Sequence, residues 1–242
     1  MKTPRLLPVL SIALLATTGY AAGEADAIIA KARAFLGGDK VLDSVTSLQF
    51  SGAIMEGGEK RGEITITMQK PFQQRIERTI GDEREVTALD DYDGWTRLEN
   101  LKDPGDMRLT LIRAEDIKRL QANNVENLNF FKGAERRGGT VELVGPATVD
   151  GIDCVKVVFT HTPEIAFTRY FDKATGRLVM TETEKGGEIR EHGEQFVDGI
   201  RFPTSLESKL DGRTVTITFE KITVNEKFPD SLFAFPTVMP AR

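Results

Sequence analysis

From residue 48 onward, apolar and polar side chains alternate along the chain with a period of two residues. The clearest case is the run in which Ile64, Ile66 and Met68 are separated by Thr65 and Thr67. This alternation is typical of antiparallel strands that bury only one face. Turn-forming residues separate the segments that show it. We predict such strands at 48–54, 64–69, 72–80, 141–144, 154–161, 165–171, 178–184, 188–196, 204–210 and 214–224.

In three other segments, one of them short, the apolar residues follow the helical period instead. Residues 25–36 predict an amphipathic helix that ends at Gly37, and residues 40–45 predict a short helical piece. Residues 114–123 predict a further helix, with charge on one side and Ile117 and Leu120 on the other. The chain is therefore predicted to be α+β and mainly antiparallel β. A single sheet of about ten strands must curl or close.

A curled sheet has a concave face whose apolar side chains must be covered. The predicted helices are short, so they either fill the concave face or leave a hydrophobic cavity beneath them. Periodicity does not separate these two outcomes.

The first residues predict export. Lys2 and Arg5 precede an apolar run at 6–16, and small residues follow at 19–22, which is the order of a secretory signal. The run is too short for a stable membrane span. We expect a signal peptide at 1–21 and one mature domain at 22–242, soluble in the periplasm. The single cysteine, Cys154, lies far from the cleavage site, so we expect no lipid attachment there and a buried, inert thiol.

Composition and motifs argue against several classes of function. The net charge of −5 opposes binding to nucleic acid by bulk attraction. The two histidines, His161 and His192, lie in strand contexts without metal-ligand spacing, and we interpret them as surface or strand-pairing residues. The acidic run at 90–93 lacks key ligands of a calcium loop and predicts a hairpin turn. We expect no metal, no cofactor and no enzyme activity, although a hydrolase with a dispersed site remains an alternative.

Several short motifs together resemble the LolA-like outer-membrane lipoprotein carriers. The resemblance starts at residues 44–52 (SVTSLQFSG) and continues at residues 62–71 (GEITITMQKP). It includes Asp93-Gly94-Trp95, the strand–turn–strand at 170–178 and the ending at 230–236. The resemblance implies an open half-barrel of about ten or eleven antiparallel strands, with short helices as a lid over the concave apolar face.

The resemblance also implies where a ligand would bind. We predict an apolar cavity lined by Phe50, Ile64, Ile66, Met68, Phe72, Ile76, Trp95, Leu109 and Leu111, under a lid that includes Ile28, Ile29, Ile117 and Leu120. Typical carriers have an arginine before the proline of the second motif, and it helps to hold the lid closed. This chain has Lys70 there, a latch candidate that lacks the planar multi-donor guanidinium.

The leading functional hypothesis is a periplasmic binding protein for acyl chains or lipoproteins, which carries or senses acylated ligands. The main alternative is an envelope-stress sensor or interaction module on the same fold, with a membrane-anchored envelope protein as its partner.

Overall fold

The computed structural model describes residues 22–236. The helices of this part are α1 (Ala22–Leu36), α2 (Asp39–Asp43) and α3 (Ala114–Asn129), with short 3-10 turns at Glu135–Arg137 and Asp230–Leu232. The strands are β1 (Ser47–Glu56), β2 (Glu59–Gln69), β3 (Gln73–Ile80), β4 (Glu83–Asp90), β5 (Asp93–Asn100), β6 (Asp103–Leu111), β7 (Thr140–Val149), β8 (Ile152–Thr162), β9 (Ile165–Asp172), β10 (Leu178–Thr183), β11 (Glu188–His192), β12 (Gln195–Val197), β13 (Ile200–Phe202), β14 (Ser205–Leu210) and β15 (Arg213–Val224).

Thirteen strands form one open antiparallel sheet in the order β6-β5-β4-β3-β2-β1-β15-β14-β11-β10-β9-β8-β7. Most neighbours are joined by hairpins. The exception at the centre is the pairing of β1 with β15, in which Leu48 lies opposite Val224. This long-range pair joins the two halves of the sheet. Strands β12 and β13 form a separate small hairpin.

The register explains why one face is apolar. Phe50 of β1 lies opposite Ile66 of β2, and Ile66 lies opposite Ile76 of β3. Because side chains alternate between faces, all three point to the same side. In the other half, Phe159 of β8 lies opposite Phe167 of β9 and continues this apolar face.

Different parts of the chain cover the two faces. On the apolar face, α1 packs near β7 and α3 packs on β2, β3 and β4; we call this the helix-covered face. The opposite face carries the C-terminal strap, residues 225–236. The strap is held by a hydrogen bond of 2.9 Å from the Trp95 indole nitrogen to the carbonyl of Phe233. Its Phe228 and Phe233 are buried.

The predicted fold class is confirmed: the chain is mainly antiparallel β, the sheet is open and the helices are short. The main sheet has thirteen strands rather than ten or eleven, partly because residues 83–111 add three full strands. Helix α3 continues to Asn129, and the predicted strand 188–196 is interrupted at residues 193–194. The hairpin turn at 91–92 is confirmed, with Asp91 at a φ of 52°.

The predicted signal peptide, residues 1–21, lies outside the described residues. None of the helices within 22–236 is long and apolar enough to cross a membrane.

Candidate functional site

Part of the predicted cavity lining lies together on the helix-covered face. Phe50, Ile66 and Met68 belong to a cluster that also contains Leu128 and Phe130 from the end of α3. Ile76 and Ile64 follow from the register on the same face, and both are half-buried. Phe72 lies in the turn after β2, where the Arg137 guanidinium stacks on its ring at 4.3 Å.

The other three predicted lining residues were assigned to the wrong face. Trp95 lies opposite Ala88 and Leu111, and Arg97 lies opposite Leu109. This register puts Trp95, Leu109 and Leu111 on the side of the sheet that carries the strap. Period-two alternation produces two faces, and here both contain apolar residues because the strap covers the second one.

The predicted lid residues are divided between two helices over different parts of the sheet. Ile29, with Ile28 beside it, packs on Val157, Phe159 and Phe171 of the far half, not on the Ile66 strands. Ile117 and Leu120 of α3 are half-buried. Ile117 packs closely on Gly94: a Cβ atom added to Gly94 would lie 3.3 Å from Cγ1 of Ile117.

Arg33 of α1 ties all three helices together. Its side chain is buried, and one terminal nitrogen donates to the carbonyls of Asn129 and Phe130 at 2.9 Å each. The same guanidinium pairs with Asp39 and Asp43 of α2. The hydrogen bond from Arg33, together with one from Lys132, lowers the pKa of Asp39. A cation on the last carbonyls of α3 is also favoured by the helix dipole.

Lys70, the predicted latch, is half-buried near this cluster. Burial lowers the pKa of its ammonium, and the charge of Asp43 opposes that effect. Among residues 22–236 its ammonium donates no hydrogen bond, whereas its backbone N–H bonds the carbonyl of Thr46. The contacts that join the helices are thus made by Arg33, which the sequence pattern did not single out, and not by the latch candidate Lys70.

A second buried ionic group holds α3 to the far half of the sheet. Glu126 of α3 pairs with Arg169 of β9, and its other oxygen lies 2.8 Å from Nε2 of His161. Burial acts to raise the pKa of Glu126, but the charge of Arg169 and the His161 hydrogen bond outweigh it, so the pKa is lowered. His161 is therefore a buried partner of a carboxylate, not the surface or strand-pairing residue that we expected. His192 is exposed.

Sequence reasoning missed this group for an identifiable reason. His161 and Glu126 are 35 residues apart, and only the tertiary structure shows which helix covers which strand. One signal was available: Arg169 lies between Phe167 and Phe171 at alternate positions, so a charge occurs in an apolar stripe. A charge in such a stripe must find a buried partner.

Two cavities flank the covered surfaces. A groove of ≈ 350 Å³ runs between Ile29 of α1, Val141 of β7 and the loop after α3, with Asp26, Asp39, Lys132 and Arg136 among its charged lining residues. A cavity of ≈ 340 Å³ lies at the strap, lined by Trp95, Leu111 and Phe235 with Asp90 and Asp93. Neither is lined by Phe50, Ile66 or Met68, whose side chains pack against the helices.

Cys154 is buried and free, as predicted, and burial raises the pKa of its thiol. Within the described residues, no group of three or more His, Cys, Asp or Glu side chains is arranged to hold a metal ion.

Scans against protein-family models and curated proteins found no significant match. Solved structures do match. A LolA superfamily protein from Nitrosomonas europaea superposes with a TM-score of 0.57 at 13% identity, over 87% of this chain and 97% of that one. The fold is LolA-like.

Two further structures support the same LolA-like fold. A DUF1329 family protein from Desulfovibrio piger has a TM-score of 0.54 at 13% identity, over 87% of this chain and 97% of its own. A domain from Vibrio parahaemolyticus, described as that of an outer membrane lipoprotein-sorting protein, has a TM-score of 0.53 at 10% identity. The match covers 86% of this chain and 97% of that one. At these identities the likeness concerns the fold alone.

Proposed function

We propose that this LolA-like protein is a periplasmic, non-enzymatic binding protein that takes acyl chains or acylated lipoproteins between its sheet and its helices. The observation that carries the proposal is a continuous apolar sheet face closed by helices that polar contacts of Arg33 hold together. Polar contacts of this kind can be exchanged for water when the helices move. The lipoprotein-sorting domain that shares the fold supports this choice of ligand.

The energies allow a ligand to open the helices without covalent chemistry. Two hydrogen bonds to a charged group contribute roughly 3 to 6 kcal/mol. Burial of about ten methylene groups of an acyl chain contributes roughly 8 kcal/mol. A single chain can therefore compensate for the loss of the Arg33 contacts, and release would need a partner that binds the chain better.

The periplasmic location rests on the signal pattern in residues 1–21. We expect the exported protein to lose this segment near Ala21 and to have no covalently attached lipid. The intact mass of protein isolated from the envelope tests this, and a retained Met1 would contradict it.

The binding proposal is tested by a pair of neighbouring substitutions on opposite faces of β2. Ile66→Glu places a charge on the helix-covered face, and Thr65→Glu places the same charge on the other side. We expect Ile66→Glu to abolish uptake of a fluorescent fatty acid and Thr65→Glu to preserve it, with circular dichroism confirming that both variants are folded. Equal uptake by both variants would show that the ligand does not bind on this face.

A further inference from the structure

The ionic group under α3 is enclosed to an unusual degree. Glu126 is 3% exposed and Arg169 is 7% exposed, and the side chain of His161 is 6% exposed. All three are thus more than nine-tenths buried on the face where the proposed ligand would lie. Burying charges is costly, and apolar residues of similar size would often stabilise a fold as well. The group therefore calls for a reason beyond stability.

Aromatic rings surround the positive end of this group. The guanidinium carbon of Arg169 lies 4.9 Å from the ring centroid of Phe131 and 4.8 Å from that of Phe159. These rings belong to the apolar cluster beneath α1, together with Val157 and Phe171. A cation at the end of an apolar wall has the arrangement that binds an amphiphile with an anionic headgroup.

Arg169 also has donor capacity that Glu126 does not use. Glu126 engages one terminal nitrogen of the guanidinium. The Nε of Arg169 is buried and has no hydrogen-bond partner among the described residues. A guanidinium presents its donors as a planar fork that suits carboxylate or phosphate oxygens in pairs. The carboxylate that α3 supplies thus accepts hydrogen bonds from only some of the N–H donors of Arg169.

We propose that Arg169 and His161 form the seat for the anionic headgroup of an acyl amphiphile, and that Glu126 occupies this seat while α3 is closed. The inference rests on the proposed binding function and specifies its ligand: a single-chain carboxylate or phosphate amphiphile. Binding replaces the oxygens of Glu126 by those of the ligand, and the acyl chain lies along the apolar cluster beneath α1, which includes Phe131, Phe159 and Phe171.

A second carboxyl, that of Glu191, lies close enough to Arg169 for the two groups to interact electrostatically. Glu191 is on the same face, and burial raises its pKa to about 7, although the charges of Arg169 and Arg177 oppose the shift. At pH 6 this carboxyl is mainly neutral. It therefore does not take the place of Glu126 as the counterion of Arg169, and pH 6 is the condition chosen for the experiment.

The experiment compares three probes with one C18 chain: oleic acid, oleyl phosphate and oleyl alcohol. Dissociation constants are measured with the full mature protein, its Glu126→Gln variant and the neutral double variant Glu126→Gln/Arg169→Gln. We expect the wild type to bind at least one anionic probe about tenfold more tightly than the alcohol, the factor that corresponds to one charge-assisted hydrogen bond. Glu126→Gln should increase that ratio further, and the double variant should reduce it to about one.

A matched control separates the seat from general loosening of α3. Arg119 of α3 also pairs with Glu184, which directly follows β10 and is not an ion-pair partner of Arg169 within the described residues. Glu184→Gln should change the affinity for all three probes alike. If the double variant does not fold, the comparison of Glu126→Gln with Glu184→Gln tests the proposal. The ratio of anion to alcohol affinity must then be higher in Glu126→Gln than in Glu184→Gln.

The outcomes separate the inference from the function beneath it. If all proteins bind the alcohol and the anions equally well, the seat does not exist while acyl binding stands. If no probe binds to the wild type or to any variant, acyl binding itself is wrong. A preference for oleic acid over oleyl phosphate identifies a carboxylate headgroup, and the reverse identifies a phosphate.

Discussion

Helices α1 and α3 cover the same face of the sheet with different chemistry. The buried residues of α1 are Ala25, Ile29 and Ala32, with Arg33 as the polar exception. The buried residues of α3 include as many polar as apolar side chains: Gln121, Asn124 and Glu126 beside Ala122, Val125 and Leu128. An apolar contact is lost without replacement when a helix lifts, whereas a polar contact can pass to water or to a ligand. We infer that α3 is the helix better suited to move.

The side chains under α1 should give the largest effect on stability. Phe171 is fully buried and packs against Phe131 with ring centroids 5.0 Å apart. We expect Phe171→Ala to lower the free energy of unfolding by about 3–5 kcal/mol, because the cavity is enclosed by α1 and the sheet. Urea denaturation measures this. The exposed Phe196 provides the control, and Phe196→Ala should change stability by no more than about 0.5 kcal/mol. Equal losses would contradict a close-packed α1 interface.

The contact between α1 and α3 should give the next largest effect. Arg33→Met leaves two carbonyls at the end of α3 without their donor. We expect a loss of about 3 kcal/mol, the low end of the range for two hydrogen bonds to a charged group, because the methionine side chain keeps the packing of the arginine stem. Amide hydrogen exchange near the end of α3 should become faster. Lys70→Leu is the control, since Lys70 makes no such contact within the described residues, and it should leave exchange in the helices unchanged. If the amides near the end of α3 exchanged faster in Lys70→Leu than in Arg33→Met, Lys70 rather than Arg33 would be the residue that holds the helices together.

The raised pKa of Glu191 predicts a pH dependence of smaller size. The carboxyl has an ordinary pKa of 4.5 and a folded pKa of about 7, so between these values the folded state binds more protons than the unfolded state. Stability contributed by this group is therefore fully present below pH 4.5 and is lost as the pH rises through 7. We expect the difference in the free energy of unfolding between wild type and Glu191→Gln to change by about 2 kcal/mol between pH 5.5 and 8. A constant difference would show that the carboxyl is not desolvated.

The strap on the opposite face should give the smallest effect. Trp95→Phe keeps the ring but removes the donor to the carbonyl of Phe233, and we expect a loss of about 1 kcal/mol. Exchange in residues 230–235 should become faster, while uptake of a fluorescent fatty acid should not change. A defect in uptake would mean that Trp95 contributes to the binding face after all.

Residues on one strand show how far periodicity alone can go. The alternation in residues 62–70 predicted correctly that Ile66 and Met68 share a face, because this depends only on the local pleat. It could not show that the same face carries Phe159 and Arg169. That depends on the pairing of β1 with β15, which joins the first strand of the chain to the last one among the described residues.

Trp95 shows the same limit from the other side. The sequence marks it as an apolar strand residue but does not identify what covers it. The strap that buries it lies more than a hundred residues further along the chain, and the hydrogen bond between them goes to a backbone carbonyl, which no side-chain pattern records.

The sequence by itself thus determined the mainly antiparallel β architecture, the positions of its main helices and the burial of Cys154, since each follows from local spacing and composition. The open half-barrel was implied by the resemblance to the LolA-like carriers. The tertiary structure alone decided which face each apolar stripe occupies, that Arg33 rather than Lys70 holds the helices, and that Glu126 meets Arg169 and His161. These are contacts between side chains distant in sequence. Their physical basis is the requirement that buried charges find partners, and the fold determines which partners lie within reach.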